Sequence, residues 1–434
     1  MKRPAFITFL LALPVMALAQ TISPTEVPDT VVWYTEGHSL FIGGHGAVAY
    51  KNNPPWYGLR QHIRHVVVED GISDIRDGTF AGMDSLQTLS LPLTLESIHG
   101  RRVFAGCNAL DSLVLPEGFR ILYVRLGGSG LRYMHIPNSV YYLGDNLFDG
   151  CARLSGVDLP NDISTIPRYC FRNCVRLESI VIPPQVEALS EGAFAGCIRL
   201  RRVQLPVCLQ HIYEQAFKGC NSLRRLALPD STDIAYGLDK CGGLQDIQTG
   251  KDNLRYKSID GVLYDKAGRW LEKFPEGRGG SYTLPDTAGI GLLSFAYCYK
   301  LQNIFVRPTH PFYRSVGGVL YNRRRTRLLK FPPGRTRAVV PESVDSIFGY
   351  AFYFCDKLAS LTLPAGLKEI GPNAFDGCKH IRVVIDKSPV PQDIDPLLFE
   401  AEVRVKAKLY VPRTALAAYK KAPGWGDFNH IIGF

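Results

Sequence analysis

The 434-residue sequence predicts an α/β repeat fold: a strand-rich solenoid with short helical turns, made of 23-residue coils and two longer hairpin-bearing units. Three observations predict it. Cys151, Cys174, Cys197 and Cys220 stand 23 residues apart, and so do Cys355 and Cys378. Pro137, Pro160, Pro183, Pro206 and Pro229 keep the same step. Residues 261–275 (GVLYDKAGRWLEKFP) and 318–332 (GVLYNRRRTRLLKFP) match each other at an offset of 57.

From the amino terminus, Lys2 and Arg3, an apolar stretch at 5–18 and the small-x-small site Ala17-Leu18-Ala19 predict a signal peptide over 1–19. The stretch is too short for a spanning helix, which needs about 20 residues. No later segment resembles a transmembrane span, so the expectation is export to the cell surface or extracellular space. The formal charge of +10 falls to +8 when Lys2 and Arg3 leave. That is compatible with acidic partners without requiring them.

Residues 20–70 are expected to form N-terminal cap strands that close the open first coil. Coils follow over 71–250, with the consensus A-F-x-G-C-x-x-L-x-x-[VIL]-x-[LI]-P, and the count is roughly a dozen along the chain. In each, a stripe such as Leu200, Val203 and Leu205 faces inward, and the alternation of Val203 and Leu205 marks a short strand. Pro206 has no N–H and ends the ladder there. Phe80, Phe104, Phe148, Phe171, Phe194, Phe217, Phe295, Phe352 and Phe375 fill the opposite side of the core. Gly196 before Cys197 suits a turn at positive φ. Residues 251–340 carry the longer repeats, whose Val-Leu-Tyr and Lys-Phe-Pro arms flank a polar turn as hairpins do. Coils resume over 341–408. Residues 409–434 form a C-terminal cap, an amphipathic helical segment through Ala415, Tyr419, Trp425, Phe428 and Ile431.

These repeats, the GVLY…FP units, the PPW segment before VVVEDGI and the closing LYVP…AY…GW…F…I resemble the BspA-like leucine-rich-repeat proteins of bacterial surfaces, common in Bacteroides relatives. The resemblance spans essentially the whole mature chain. It implies a right-handed leucine-rich-repeat solenoid and adhesion to host matrix proteins or other bacteria.

Nine of the eleven cysteines share one column, which also holds Met83 and Gly128. A position that accepts Met calls for apolar filling, so buried free thiols are favoured. Bridges between neighbouring coils are the alternative, because ladder spacing falls inside the ~4.4–6.8 Å Cα range of a disulfide. Paired C-x-x-C elements for zinc are absent. His38, His45, His62 and His65 cluster near the start without a ligand motif. No nucleophile elbow, phosphate loop or dinucleotide fingerprint occurs, so no catalytic residue, metal or cofactor is expected.

A binding face must come from the outward strand positions. Coil by coil these are Thr88/Ser90, Ser112/Val114, Tyr133/His135, Gly156/Asp158, Ser179/Val181, Arg202/Gln204, Arg225/Ala227, Asp246/Gln248, Asn303/Phe305 and Ser360/Thr362. Tyr133, His135, Arg202, Arg225 and Phe305 are the larger groups, of the types that anchor interfaces. The hairpin turn with Arg323, Arg324 and Arg325 is the densest basic run. The expected function is a non-catalytic exported binding protein that takes a protein partner, from host matrix or a bacterial surface, on the solenoid face. Glycan binding is the alternative. Nucleic acid is not expected, since no binding module is present.

Overall fold

The structure is a computed structural model that describes residues 30–50, 53–234 and 236–434. The signal peptide expected over 1–19 and residues 20–29 of the N-terminal cap lie outside the described residues.

The coil around Cys197 shows how the consensus folds. Phe194 and Leu200 are fully buried, and Gly196 turns the chain at φ 78°. Cys197 N donates to Phe194 O at 3.1 Å, closing that turn. The strand Arg202–Gln204 follows, with Val203 and Leu205 half-buried against the core. After Pro206 the chain turns again, buries Leu209, and forms the two-residue strand His211–Ile212.

Stacking makes three ladders from these three sides. Arg202–Gln204 pairs in parallel with Ser179–Val181 in the first. In the second, His211–Ile212 pairs with Ala188–Leu189, which pairs with Thr165–Ile166. The third side has no strands, yet it carries regular bonds between coils. Gly192, Phe194 and Gly196 donate their N–H groups to the carbonyls of Glu214, Ala216 and Lys218, at 3.1, 2.8 and 2.7 Å. The second ladder is a feature the sequence reading did not separate, because two-residue strands have no alternation to read. The solenoid has about 17 turns rather than a dozen. The sequence count followed the A-F-x-G-C copies, and coils without that motif add to it.

The phenylalanine column is the spine of the core. Phe148, Phe171, Phe194 and Phe217 stack with centroids 5.2, 5.2 and 5.5 Å apart. Three more residues extend it: Phe274 against Phe295, Phe331 against Phe352, and Phe399 against Phe375. Each buried ring contributes about 2–3 kcal/mol of apolar burial.

Each longer unit is a three-stranded antiparallel meander rather than a two-armed hairpin. The strands are Tyr256–Ile259, Val262–Asp265 and Trp270–Lys273, then Tyr313–Val316, Val319–Asn322 and Arg327–Lys330. Asp260 and Gly261 both take positive φ in the first tight turn, as a two-residue type I′ hairpin requires. The third strand of each meander joins the second ladder.

At the N-terminal end, Val31–Glu36 runs antiparallel to Ser39–Gly44 and Gly46–Val48 pairs with Ile72–Ile75. The PPWYGL segment is a 3-10 turn over Pro55–Leu59, not a strand, because two prolines remove the donors a ladder needs. It drives Trp56 into the core, where Trp56 Nε1 donates to Thr79 O at 3.0 Å. At the other end the ladder continues through Lys408–Val411 and His430–Gly433. Between them a 3-10 turn at Arg413–Ala415 and the helix Leu416–Lys421 bury Ala415, Tyr419, Trp425 and Phe428 over the last coil. Ile431 belongs to the final strand, not to the helical segment. Among the described residues, α-helix is confined to Ala401–Lys406 and Leu416–Lys421, and no helix is long and apolar enough to cross a membrane.

Candidate binding face

Pairing register lines up the outward positions of the first ladder in two columns. Tyr133 lies beside Gly156 and His135 beside Asp158. Ser179 lies beside Arg202, Arg225 beside Asp246, and Thr283 beside Phe305. Tyr133, His135, Arg202 and Arg225 are exposed, and Phe305 is 37% exposed.

Several of these groups satisfy one another across coils. Tyr133 Oη donates to Asp158 Oδ2, and that hydrogen bond raises the phenol above its ordinary value. His135 Nδ1 sits 3.5 Å from the same carboxylate oxygen. Arg225 Nε donates to Asp246 Oδ2 at 2.7 Å. The Arg202 side chain has no hydrogen bond or ion pair among the described residues, so its guanidinium keeps all its donors for a partner.

Two sequence expectations change here. Thr362 is buried and Ser360 half-buried, although both stand at outward positions. Thr362 is flanked in register by Val339 and Ile385, and apolar neighbours on both sides cover it. Arg323, Arg324 and Arg325 belong to a meander on the second ladder and are not brought to the face that carries Tyr133 and Arg202. Arg323 and Arg324 are exposed, Arg323 Nη1 donates to His310 O at 2.5 Å, and Arg325 is half-buried at φ 62°.

The cysteine column is interior. Ten of the eleven thiols are buried and free, with Cys208 half-exposed. Cys197 Sγ donates to Phe171 O at 3.0 Å, and burial pushes its thiol up to about 12. A thiol so disfavoured as thiolate is packing rather than a nucleophile. His38 Nδ1 bonds His62 O, and His65 Nδ1 bonds Thr88 Oγ1, so these histidines join neighbouring coils.

The sequence reading missed a second feature, a recess of about 410 Å³ on the third side. Apart from Glu276, its walls are positions just before or after five successive cysteines of the column, among them Lys240, Tyr297, Tyr299, Phe354 and Asp356. Lys240, Tyr297 and Phe354 stand in the glycine column and hold φ of 61°, 61° and 52°. Elsewhere that column is glycine, or asparagine at Asn173. A bulky residue held there costs of order 1–2 kcal/mol. The readable signal was the run Lys240-Cys241, Tyr297-Cys298 and Phe354-Cys355 where the repeat has Gly-Cys.

The profile of the BspA type Leucine rich repeat region matches six copies over residues 57–126, 126–238 and 335–402, more than half of the chain. Among solved structures, a leucine-rich repeat protein from Bacteroides ovatus is 19% identical, with 90% of this chain and 100% of that chain covered and a TM-score of 0.47. A leucine rich cell surface protein from Faecalibacterium prausnitzii is 17% identical, covering 84% and 96%, with a TM-score of 0.41. The pneumococcal vaccine antigen PcpA is 14% identical, covering 93% and 97%, with a TM-score of 0.33. No curated protein sequence matches.

Proposed function

Since the chain belongs to the BspA-type leucine-rich-repeat family, we propose that it is an exported, non-catalytic protein whose first-ladder face binds a protein partner at the bacterial surface. The observation that carries this reading is that Tyr133, Arg202 and Arg225 stand at the same outward strand position of coils in a 23-residue step, each paired in parallel register with a neighbouring coil. A strand of three residues is about 10 Å wide, and ladder steps of about 4.8 Å over the whole solenoid give roughly 80 Å of length. The face therefore offers about 800 Å², one side of a standard protein interface. Arg202 brings free donors, and Tyr133 and Phe305 bring aromatic area, the groups that dominate such interfaces.

The test uses the chain from Gln20 onward against immobilised host matrix proteins and whole bacterial cells, at low and high salt. At least one protein partner should bind, and the R202A/R225A double variant should weaken it with the thermal midpoint unchanged. Binding that is indifferent to those arginines and to Tyr133→Ala sinks the assignment of this face. Export is checked separately by the N-terminal sequence of the secreted protein, expected to begin at Gln20.

A further inference from the structure

The geometry points to a saccharide site in the recess on the third side of the solenoid, away from the strand face. Its shape has a cause in the longer units. Their Phe-Pro coils close with tight turns, Phe274-Pro275-Glu276-Gly277 and Phe331-Pro332-Pro333-Gly334, in place of the wide A-F-x-G-C loop. Gly277 N donates to Leu244 O, and Gly334 N to Leu301 O, which draws both turns inward. The neighbouring wide loops then stand proud of a hollow. Tyr297 and Phe354 reach across the second turn until their ring centroids are 4.2 Å apart. Gly377 in the following coil leaves room for Phe354, since a Cβ there would meet the ring at 2.7 Å.

The lining pairs aromatic faces with fixed polar groups. Tyr299 stands edge-on to Tyr297, centroids 6.4 Å apart, and all three rings are half-exposed. Glu276 is buried at the edge of the recess, and its Oε1 accepts both from Lys273 Nζ and from Lys240 N, at 2.9 Å each. Oε2 is left to accept from a ligand. Asp356 is steadied by His380 Nδ1 at 2.8 Å.

This combination selects the ligand. An apolar molecule would cover Glu276 and Asp356 with nothing to replace their water. A cation is opposed by the amines of Lys240 and Lys273, already 5.3 and 6.0 Å from the Tyr297 centroid. A phosphate would meet the two carboxylates. A sugar fits: its C–H faces stack on the rings, its hydroxyls donate to Glu276 and Asp356, and Lys240 supplies a donor. The volume suits a small-molecule pocket. Three bulky residues held in left-handed conformations fit a site whose side chains are used.

The test is titration calorimetry of the intact chain with the methyl glycosides of glucose, galactose, N-acetylglucosamine and glucuronic acid. Ligand-observed saturation transfer serves as a second readout. One or more should bind, and the Y299A and Y297G/F354G variants should lose about tenfold or more in affinity, the scale of one lost stacking contact. Glycine is the usual residue of that column, so the double variant keeps its backbone and should melt as a folded protein. The R202A/R225A variant should bind the sugar as the natural chain does, which separates this site from the strand face. No binding by any glycoside, or binding unchanged in both recess variants, overturns the proposal.

Discussion

Lys273 and Lys330 occupy the same place in two units 57 residues apart, and both are buried, but only Lys273 reaches carboxylates. Its Nζ contacts Asp239 and Glu276, whereas Lys330 Nζ has the carbonyl of Tyr350 at 2.9 Å. Burial alone would lower both ammonium groups. It does lower Lys330, while Glu276 and Asp239 outweigh burial and hold Lys273 above the ordinary lysine value. K273M strands a buried glutamate and should cost about 3–5 kcal/mol, whereas K330M should be neutral or stabilising. Denaturant unfolding of the two variants checks this, and equal losses would contradict it.

The thiols should be silent until the coils open. Ten buried cysteines imply that a thiol reagent labels only Cys208 at an appreciable rate in the folded chain. All eleven should react after unfolding without reductant, as read by mass spectrometry. Fewer than eleven would mean bridged coils.

Gly196 and Asn173 share a column and a positive φ, but they tolerate substitution differently. A Cβ at Gly196 would meet Asn173 Oδ1 at 2.3 Å. Gly196→Ala should therefore cost about 1–2 kcal/mol, whereas Asn173→Gly should cost little. Thermal melts distinguish the two.

Asp386 should make stability fall as pH rises. Ser388 N donates to Oδ1, buried Oδ2 has no well-formed hydrogen bond among the described residues, and burial, only partly offset by Ser388, Tyr419 and Gln392, pushes the carboxyl up to about 6. The folded chain thus favours the protonated form. Its contribution is full below the ordinary aspartate value near 4 and is lost as pH rises through about 6, an effect of about 2–3 kcal/mol. D386N should be the more stable chain at pH 7–8 and should flatten the stability profile between about 4 and 6. A profile unchanged by D386N would remove Asp386 as its source.

Much of this fold was legible in the sequence because a repeat states each instruction many times. The 23-residue step fixed which Phe, Leu and Cys face inward, and Met83 in the cysteine column already argued for packing over chemistry. Outward positions such as Tyr133, Arg202 and Arg225 followed from two-residue alternation within a strand. The second ladder was hidden, because Ala188–Leu189 or His211–Ile212 is too short to show a pattern.

By itself, then, the sequence determined the coil, since burial within a coil depends on residues a few positions apart. Tertiary structure decided what depends on contact between one coil and its neighbours. It buried Thr362 between Val339 and Ile385, gave Lys273 the acids that Lys330 lacks, and set Tyr297 against Phe354 across a short turn. The physical reason is stacking: each coil's surroundings are set by the one above and the one below. Where the longer units change the height of a turn, residues of coils on either side of it meet across it, as Tyr297 and Phe354 do.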